Sequence, residues 1–168
     1  MQPIQDKQTV DAQGRNIAKG IYGVVVHRLI THSDERGSLT ELYRQSWGIH
    51  PDGLVYAKLI TVRPGKKKGF VKHLKQDDRM CILYGGAQYV LYDDRPDSPT
   101  YKLVQEINRD EHSRSMLIIP AGVYHAVRCI SSTDLVMVNL PNNLYDHANP
   151  DKYRLPLVND VIPYAWRD

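Results

Sequence analysis

The chain has 168 residues, of which 42% are hydrophobic and 24% are charged, and its formal net charge is +3. This length is enough for one domain with a substantial core, and so small a net charge gives no reason to expect nucleic-acid binding. No apolar run is long enough to span a membrane. The first residues, Met1–Lys7, lack the hydrophobic segment of a signal peptide, and Cys81 and Cys129 lie in apolar runs typical of buried free thiols. We therefore expect a cytoplasmic protein that does not bind membranes.

In chain order, short apolar runs alternate with turn signals from residue 23 to residue 138. The predicted strands cover 23–30, 38–43, 54–62, 79–84, 87–92, 102–107, 115–119, 123–127 and 135–138. Closely spaced short strands with Gly- and Pro-containing turns between them indicate an all-β fold, and a double-stranded β-helix, or jelly-roll barrel, accommodates this number. We predict a single domain over 1–168, with a polar N-terminal arm (1–20), a barrel core (21–140) and a loop-rich C-terminal segment (141–168).

The most informative turn is Pro120-Ala-Gly-Val-Tyr-His125. Proline fixes φ and glycine permits positive φ, so this stretch predicts a tight corner between two strands, with His125 near the start of the second. The spacing Pro-x-Gly-x-x-His resembles the second motif of the cupin superfamily. That resemblance implies a jelly-roll barrel with His125 at its mouth.

A second motif lies upstream, between His73 and Gly86. It is similar to the first cupin motif, but Lys75 stands in the slot of the second histidine and Arg79 in the acidic slot. Lysine and arginine do not offer ligand atoms to a metal at neutral pH. We therefore expect no metal and no cofactor. A mouth carrying His73, Lys75, Arg79 and His125 favours an anionic ligand such as phosphate or pyrophosphate.

Four stretches together resemble the dTDP-4-dehydrorhamnose 3,5-epimerase group of cupins. They are Asp34–Glu41 (Asp-x-Arg-Gly-x-x-x-Glu), the region of His73, Asp93–Thr100 (Asp-x-Arg-x-x-Ser-Pro-Thr), and Pro120–His125 together with Asn159, Asp160 and Trp166. The resemblance implies a homodimer that binds a nucleoside-diphosphate sugar and epimerises carbon 3, carbon 5 or both, next to a keto group. It also implies that His73 removes the proton, and that Arg36 and Glu41 help to bind the nucleotide across the dimer interface.

The chain departs from this family pattern at several positions. Asn139 falls where the family has its catalytic tyrosine, Phe70 falls where it has an arginine, and no counterpart is evident for the aspartate that orients the histidine. Asn139 does not donate a proton at neutral pH, so we expect it to contact substrate and expect Tyr145 to be the catalytic acid. We expect Lys75, Arg79 and His125 to bind the substrate.

Two alternatives remain open. The first is a non-catalytic cupin that binds a sugar nucleotide or another anion, in which Asn139 marks a lost acid. The second is a metal-dependent cupin such as a dioxygenase, which needs metal ligands where Lys75 and Arg79 stand.

Overall fold

A computed structural model describes residues 5–6, 8–14, 17 and 19–167 of the chain. The predicted N-terminal arm (1–20) therefore lies partly outside the described residues. The strands are β1 (Val25–Arg28), β2 (Thr31–Asp34), β3 (Gly37–Thr40), β4 (Lys58–Val62), β5 (Lys67–Lys72), β6 (Asp78–Tyr84), β7 (Gly86–Asp93), β8 (Val104–Asp110), β9 (Ser115–Ile119), β10 (Val123–Cys129), β11 (Leu135–Asn139) and β12 (Tyr153–Arg154), with one 3-10 turn at Gln45–Trp47. Among the described residues no helix has the length and apolar character needed to cross a bilayer.

Two five-stranded antiparallel sheets face each other. The first has the strand order β1-β9-β6-β11-β4, and the second has the order β12-β5-β10-β7-β8. Apolar side chains from both sheets, including Leu91, Leu117 and Leu135, fill the space between them. This arrangement confirms the expected all-β jelly-roll barrel. Alternate residues of each strand point to one face of their sheet, and that face is buried against the opposite sheet.

One strand of the second sheet differs from the sequence-based expectation. Lys66-Lys67-Lys68 has the composition of a solvated turn, yet β5 begins at Lys67 and pairs with β10. The partner strand supplies the backbone hydrogen bonds that local composition does not predict. A side chain on Gly69 would put its Cβ 2.5 Å from Ala126 Cα, so only glycine allows β5 to lie this close to β10.

The predicted corner at Pro120–Gly122 is present. Val123 N donates to Pro120 O at 3.3 Å, and Gly122 adopts a φ of +83°. Gly122 N also donates to the carbonyl oxygen of His73 at 2.7 Å. The corner is thereby held against His73, which brings the two predicted histidines to the same end of the barrel.

The chain after β12 covers the outer face of the second sheet. Phe70 and Tyr92 pack there against Ile162, Tyr164 and Trp166. This contact explains why the loop-rich C-terminal segment keeps several large apolar residues.

The hairpin formed by β2 and β3 lies apart from both sheets. Its strands pair only with each other, and every residue of β2 is exposed. Leu39 is 62% exposed within it. An isolated two-stranded hairpin gains little stability by itself.

Candidate active site

A cavity of about 750 Å³ lies between the two sheets and is partly open to solvent. Both sheets contribute to it: Met80 and Met137 come from the first sheet, and Val71, Tyr89 and Val127 from the second. Polar and cationic side chains surround its mouth. The cavity is therefore an apolar chamber with a charged entrance, which is the usual form of a small-molecule site.

His73 lies at this mouth, immediately after β5, and is 6% exposed. Its Nδ1 contacts the carbonyl oxygen of Asp151. Because a carbonyl only accepts hydrogen bonds, Nδ1 carries the proton and Nε2 keeps a lone pair. Burial lowers the pKa of His73, an effect that the negative charge of Asp78 partly offsets. His73 is therefore a neutral imidazole with one basic nitrogen at neutral pH.

Asp78 forms a buried pair with His125. Asp78 Oδ2 lies 3.2 Å from His125 Nε2 and 3.7 Å from His73 Nε2, and Asp78 is only 2% exposed. Its other oxygen accepts hydrogen bonds from Gln76 at 2.7 Å and from Asn139 at 2.8 Å. Burial opposes ionisation of this carboxyl, but the hydrogen bond and charge of His125 outweigh burial and hold the pKa of Asp78 well below its usual range.

His73, Asp78 and His125 also present ligand atoms that all lie within 4.8 Å of one another. Two imidazoles and a carboxylate are a donor set that binds divalent transition metals. The sequence argument against a metal relied on Lys75 and Arg79 standing in ligand slots. The acidic residue at the cluster is Asp78, one position before Arg79, so that argument does not hold.

The structure places Arg79 away from the cavity. Its side chain is fully buried, and its guanidinium donates to the carbonyl oxygens of Asp52, Gly53, Leu140 and Pro141. The guanidinium carbon also lies 5.0 Å from the centre of the Tyr43 ring. Arg79 therefore joins loops on the far side of the first sheet. The expectation that it faces an anionic ligand at the mouth does not match this position.

Lys75 and Tyr145 do not line the main cavity either. Both line a separate cleft of about 200 Å³ next to Asp151. The Tyr145 ring packs edge-on against His147 at 4.9 Å, and its centre is 6.0 Å from Nζ of Lys58, which does line the main cavity. The structure thus places the expected acid beside the mouth and not within it.

Two further expected site residues lie on or near the separate hairpin. Arg36 donates to Asp34 at 2.6 Å and its side chain is 81% exposed, while Glu41 pairs with Arg44. Neither lines the main cavity of this chain. Asn139, in contrast, does line it, and it joins Asp78 to the backbone N–H of Arg79.

Several site residues were not identified from the sequence. Asp78 lies one position before Arg79, the residue in the predicted acidic slot. Asp151 was also missed, although its carboxylate accepts from the backbone N–H groups of Leu74 and Lys75, both at 2.8 Å, while its carbonyl holds His73. The sequence signal for Asp151 is the polar and charged stretch Asn149-Pro-Asp-Lys-Tyr-Arg154.

The mouth also carries cations in addition to the expected site residues. Lys58, Lys68, Lys152 and Arg154 line it, and within the described part of the chain none of the four forms an ion pair. Burial, followed by the nearby charges of Arg154 and Lys58, lowers the pKa of Lys152. A cluster of like charges of this kind creates a positive potential that favours an anion.

Comparisons with known proteins agree with this architecture. Residues 32–153 match the family described as the polysaccharide biosynthesis C-terminal domain. The spore coat polysaccharide biosynthesis protein SpsL of Bacillus subtilis is 35% identical over 87% of this chain and 96% of its own length. The probable low-salt glycan biosynthesis epimerase Agl13 of Haloferax volcanii is 33% identical over 87% of this chain and 94% of its own.

The fold has close counterparts among solved structures. A crystal structure of a dTDP sugar isomerase from Desulfovibrio desulfuricans superposes with a TM-score of 0.81, covering 87% of this chain and 92% of the other at 20% identity. This superposition supports the barrel fold, while the family match and the 33% identity to the probable epimerase Agl13 confirm the predicted relationship to the epimerase group of cupins.

Proposed function

Because the chain belongs to the polysaccharide biosynthesis C-terminal domain family, we propose that it is an epimerase or isomerase of a nucleoside-diphosphate sugar. One relative is named as a probable epimerase of glycan biosynthesis, and a protein of the same fold is a dTDP sugar isomerase. The proposed substrate is a dTDP-linked 4-keto-6-deoxyhexose, inverted at carbon 3, carbon 5 or both. The reaction needs no redox change.

The observation that carries this proposal is the state of His73. Its Nδ1–H is held by the Asp151 carbonyl, so Nε2 is the basic nitrogen at the cavity mouth. A carbon next to a keto group loses its proton to such a base and becomes an enolate. A fixed tautomer and a pKa lowered by burial keep His73 in the neutral form that this step requires.

The enolate oxygen needs a positive or polarising neighbour. The ring of His125 lies 6.0 Å from that of His73, between centroids, and both of its nitrogens face acceptors, Asp78 Oδ2 and the carbonyl oxygen of Val123. Both ring nitrogens are thus engaged, so in our proposal His125 acts on the keto oxygen through its charge and not through a hydrogen bond, with Asp78 balancing that charge. Asn139 holds Asp78 in place and contacts the substrate at the same wall.

The diphosphate is assigned to the cationic wall at the mouth. Lys58, Lys68, Lys152 and Arg154 line the entrance that leads to His73. A sugar placed at His73 has its phosphates at this entrance, where charge-assisted hydrogen bonds hold them. These four residues take the role that the sequence suggested for Lys75 and Arg79.

A metal-assisted form of the same reaction is a second candidate. His73, Asp78 and His125 would be the ligands, and a divalent ion held by them would supply Lewis-acid polarisation of a keto oxygen. In that form His73 is engaged by the ion and another base is required. Metal analysis of the purified protein, with activity measured before and after chelation, separates the two forms.

We also propose that the protein is a cytoplasmic homodimer. The hairpin of β2 and β3 is exposed and unsupported within one chain, and a second copy would cover it. Arg36 and Glu41 would then approach the nucleotide of the partner, as the family resemblance implies. Buried free Cys81 and Cys129 suit a reducing compartment.

The test is solvent exchange. The protein is incubated in D2O with dTDP-4-keto-6-deoxyglucose and with other nucleotide-linked 4-keto sugars, and deuterium at carbon 3 and carbon 5 is measured by NMR. We expect incorporation at one or both carbons. Absence of deuterium with every sugar, combined with thermal stabilisation by the same ligands, would identify a non-catalytic sugar-nucleotide-binding protein instead.

A further inference from the structure

Tyr89 carries the one side-chain hydroxyl in the lining of the main cavity among the described residues. It stands in β7 and is 2% exposed. We infer that Tyr89 is the proton donor for the inverted carbon, an inference that rests on the proposed function. Neither residue considered from the sequence supplies that proton here, because Asn139 has no acidic proton and Tyr145 lies outside this cavity.

The hydroxyl of Tyr89 is poorly partnered within the protein. Its only described hydrogen bond is to Met137 Sδ at 3.4 Å, and a thioether is a weak acceptor. A buried hydroxyl normally has a strong partner, because burying one without compensation is costly. A bound ligand in the cavity supplies that partner.

Strand register places Tyr89 beside the histidines, and Tyr89 is less exposed than His73. In the pairing of β10 with β7, His125 lies opposite Leu91 and Val127 lies opposite Tyr89. Tyr89 is therefore one pleat along the sheet from the level of His125, on the same inner face. His73 stands at the entrance, held by Asp151. In this inference a sugar ring bound between His73 and Tyr89 has one face toward the base and the other toward the hydroxyl, which is the arrangement that inversion requires.

The proton balance closes without any further reagent. His73 Nε2 takes the proton from the carbon, and the C–H electron pair forms the enolate double bond while the keto oxygen becomes negative. Tyr89 O–H then protonates that carbon from the opposite face, and the keto group is restored. The resulting phenolate regains a proton released from His73 through water. Burial raises the pKa of Tyr89, so the hydroxyl is fully protonated before each turnover.

The test compares two rates in Tyr89→Phe: deuterium exchange into recovered dTDP-4-keto-6-deoxyglucose, and formation of inverted product. Phenylalanine fills the same space and loses only the bond to Met137 Sδ, so we expect a folded protein with an unchanged melting temperature. Exchange should stay within a few fold of the parent, while inversion falls by about 10²–10⁴-fold. Tyr84→Phe, a change at a tyrosine that is 53% exposed and outside the cavity, is the matched control and should alter neither rate.

Each other outcome has a defined meaning. Inversion at the parental rate in Tyr89→Phe overturns the inference. The inference also fails if Tyr145→Phe, and not Tyr89→Phe, keeps exchange while losing inversion. Loss of both exchange and inversion in folded Tyr89→Phe also overturns it. A residue that only reprotonates the carbon from the opposite face is not needed for exchange at His73. Absence of exchange in the unchanged protein overturns the proposed function itself, so the two failures are distinguishable.

Discussion

Asp78 and His125 link the two sheets of the barrel at the mouth of the cavity. Asp78 begins β6 in the first sheet, His125 lies in β10 of the second, and Asp78 Oδ2 is 3.2 Å from His125 Nε2. The carboxylate is only 2% exposed, so water screens this pair weakly. The pair therefore sets the geometry of the site and contributes to the stability of the fold.

Asp78→Asn should lower the free energy of unfolding by about 3–5 kcal/mol at pH 7, because it removes one partner of a buried charged pair. The folded-state pKa of Asp78 is depressed. Its stabilisation is therefore fully present above the unfolded pKa of about 3.9, and it is lost as pH falls below that value. Urea unfolding at several pH values measures this effect.

The matched control for that change is Asp97→Asn, at an exposed turn position. It should alter stability by less than about 0.5 kcal/mol. A difference between Asp78→Asn and the parent that stays constant down to pH 3 would contradict the pairing described above.

His73→Ala should reduce deuterium exchange by about 10²–10⁴-fold, as expected when a general base is removed. Because burial lowers the pKa of His73, the pH profile of exchange in the parent should rise with a midpoint below the usual value of about 6.5. His112→Ala, at a histidine whose side chain is 87% exposed, is the control. Equal exchange rates in His73→Ala and the parent would show that another group is the base.

The cationic wall predicts salt-dependent binding. Lys152→Ala and Arg154→Ala should each weaken dTDP binding by about two- to fivefold at low salt, and the loss should shrink as ionic strength rises because solvent ions screen exposed pairs. Isothermal titration calorimetry at about 50 and about 500 mM salt measures dTDP binding under weak and strong screening. Lys66→Ala, in the turn before β5, should bind dTDP like the parent; if it behaves like the other two, the wall is not the phosphate site.

Arg79→Met should destabilise the fold by about 3 kcal/mol or more, because hydrogen bonds to a charged group contribute roughly 1.5–3 kcal/mol each and several carbonyls lose their donor. Arg63→Met, at an exposed arginine, is the control and should be nearly neutral. Urea unfolding measures both. If Arg79→Met instead folds normally and loses only dTDP affinity, the anion-binding role suggested by the sequence regains support.

The exposed hairpin predicts self-association. Light scattering at micromolar concentration should give twice the mass of the 19.3 kDa chain, and Leu39→Asp should shift the mass toward that of one chain. Val158→Asp, at an apolar residue that is 87% exposed outside the hairpin, should leave the mass unchanged. A parent protein with the mass of a single chain would contradict the proposed dimer.

Much of this architecture could be predicted from local patterns in the sequence. The strand runs from residue 79 onward, the Pro120–Gly122 corner and the positions of His73 and His125 all depend on features within a few residues of each other. Alternation of apolar residues and the backbone limits of proline and glycine are local properties, so a single sequence displays them. The relationship to the epimerase group followed from the same short stretches.

The composition of the site was decided by contacts between distant parts of the chain. His73 receives its fixed tautomer from Asp151, a residue 78 positions away, and β5 forms because β10 supplies its hydrogen bonds. The sequence pattern assigns the acidic slot to position 79, which is Arg79, whereas the carboxylate of the site is Asp78, one position earlier. Since successive strand residues point to opposite faces, that single step put Asp78 at the cavity mouth and Arg79 behind the sheet. Only the pairing of strands in three dimensions determines which face is which.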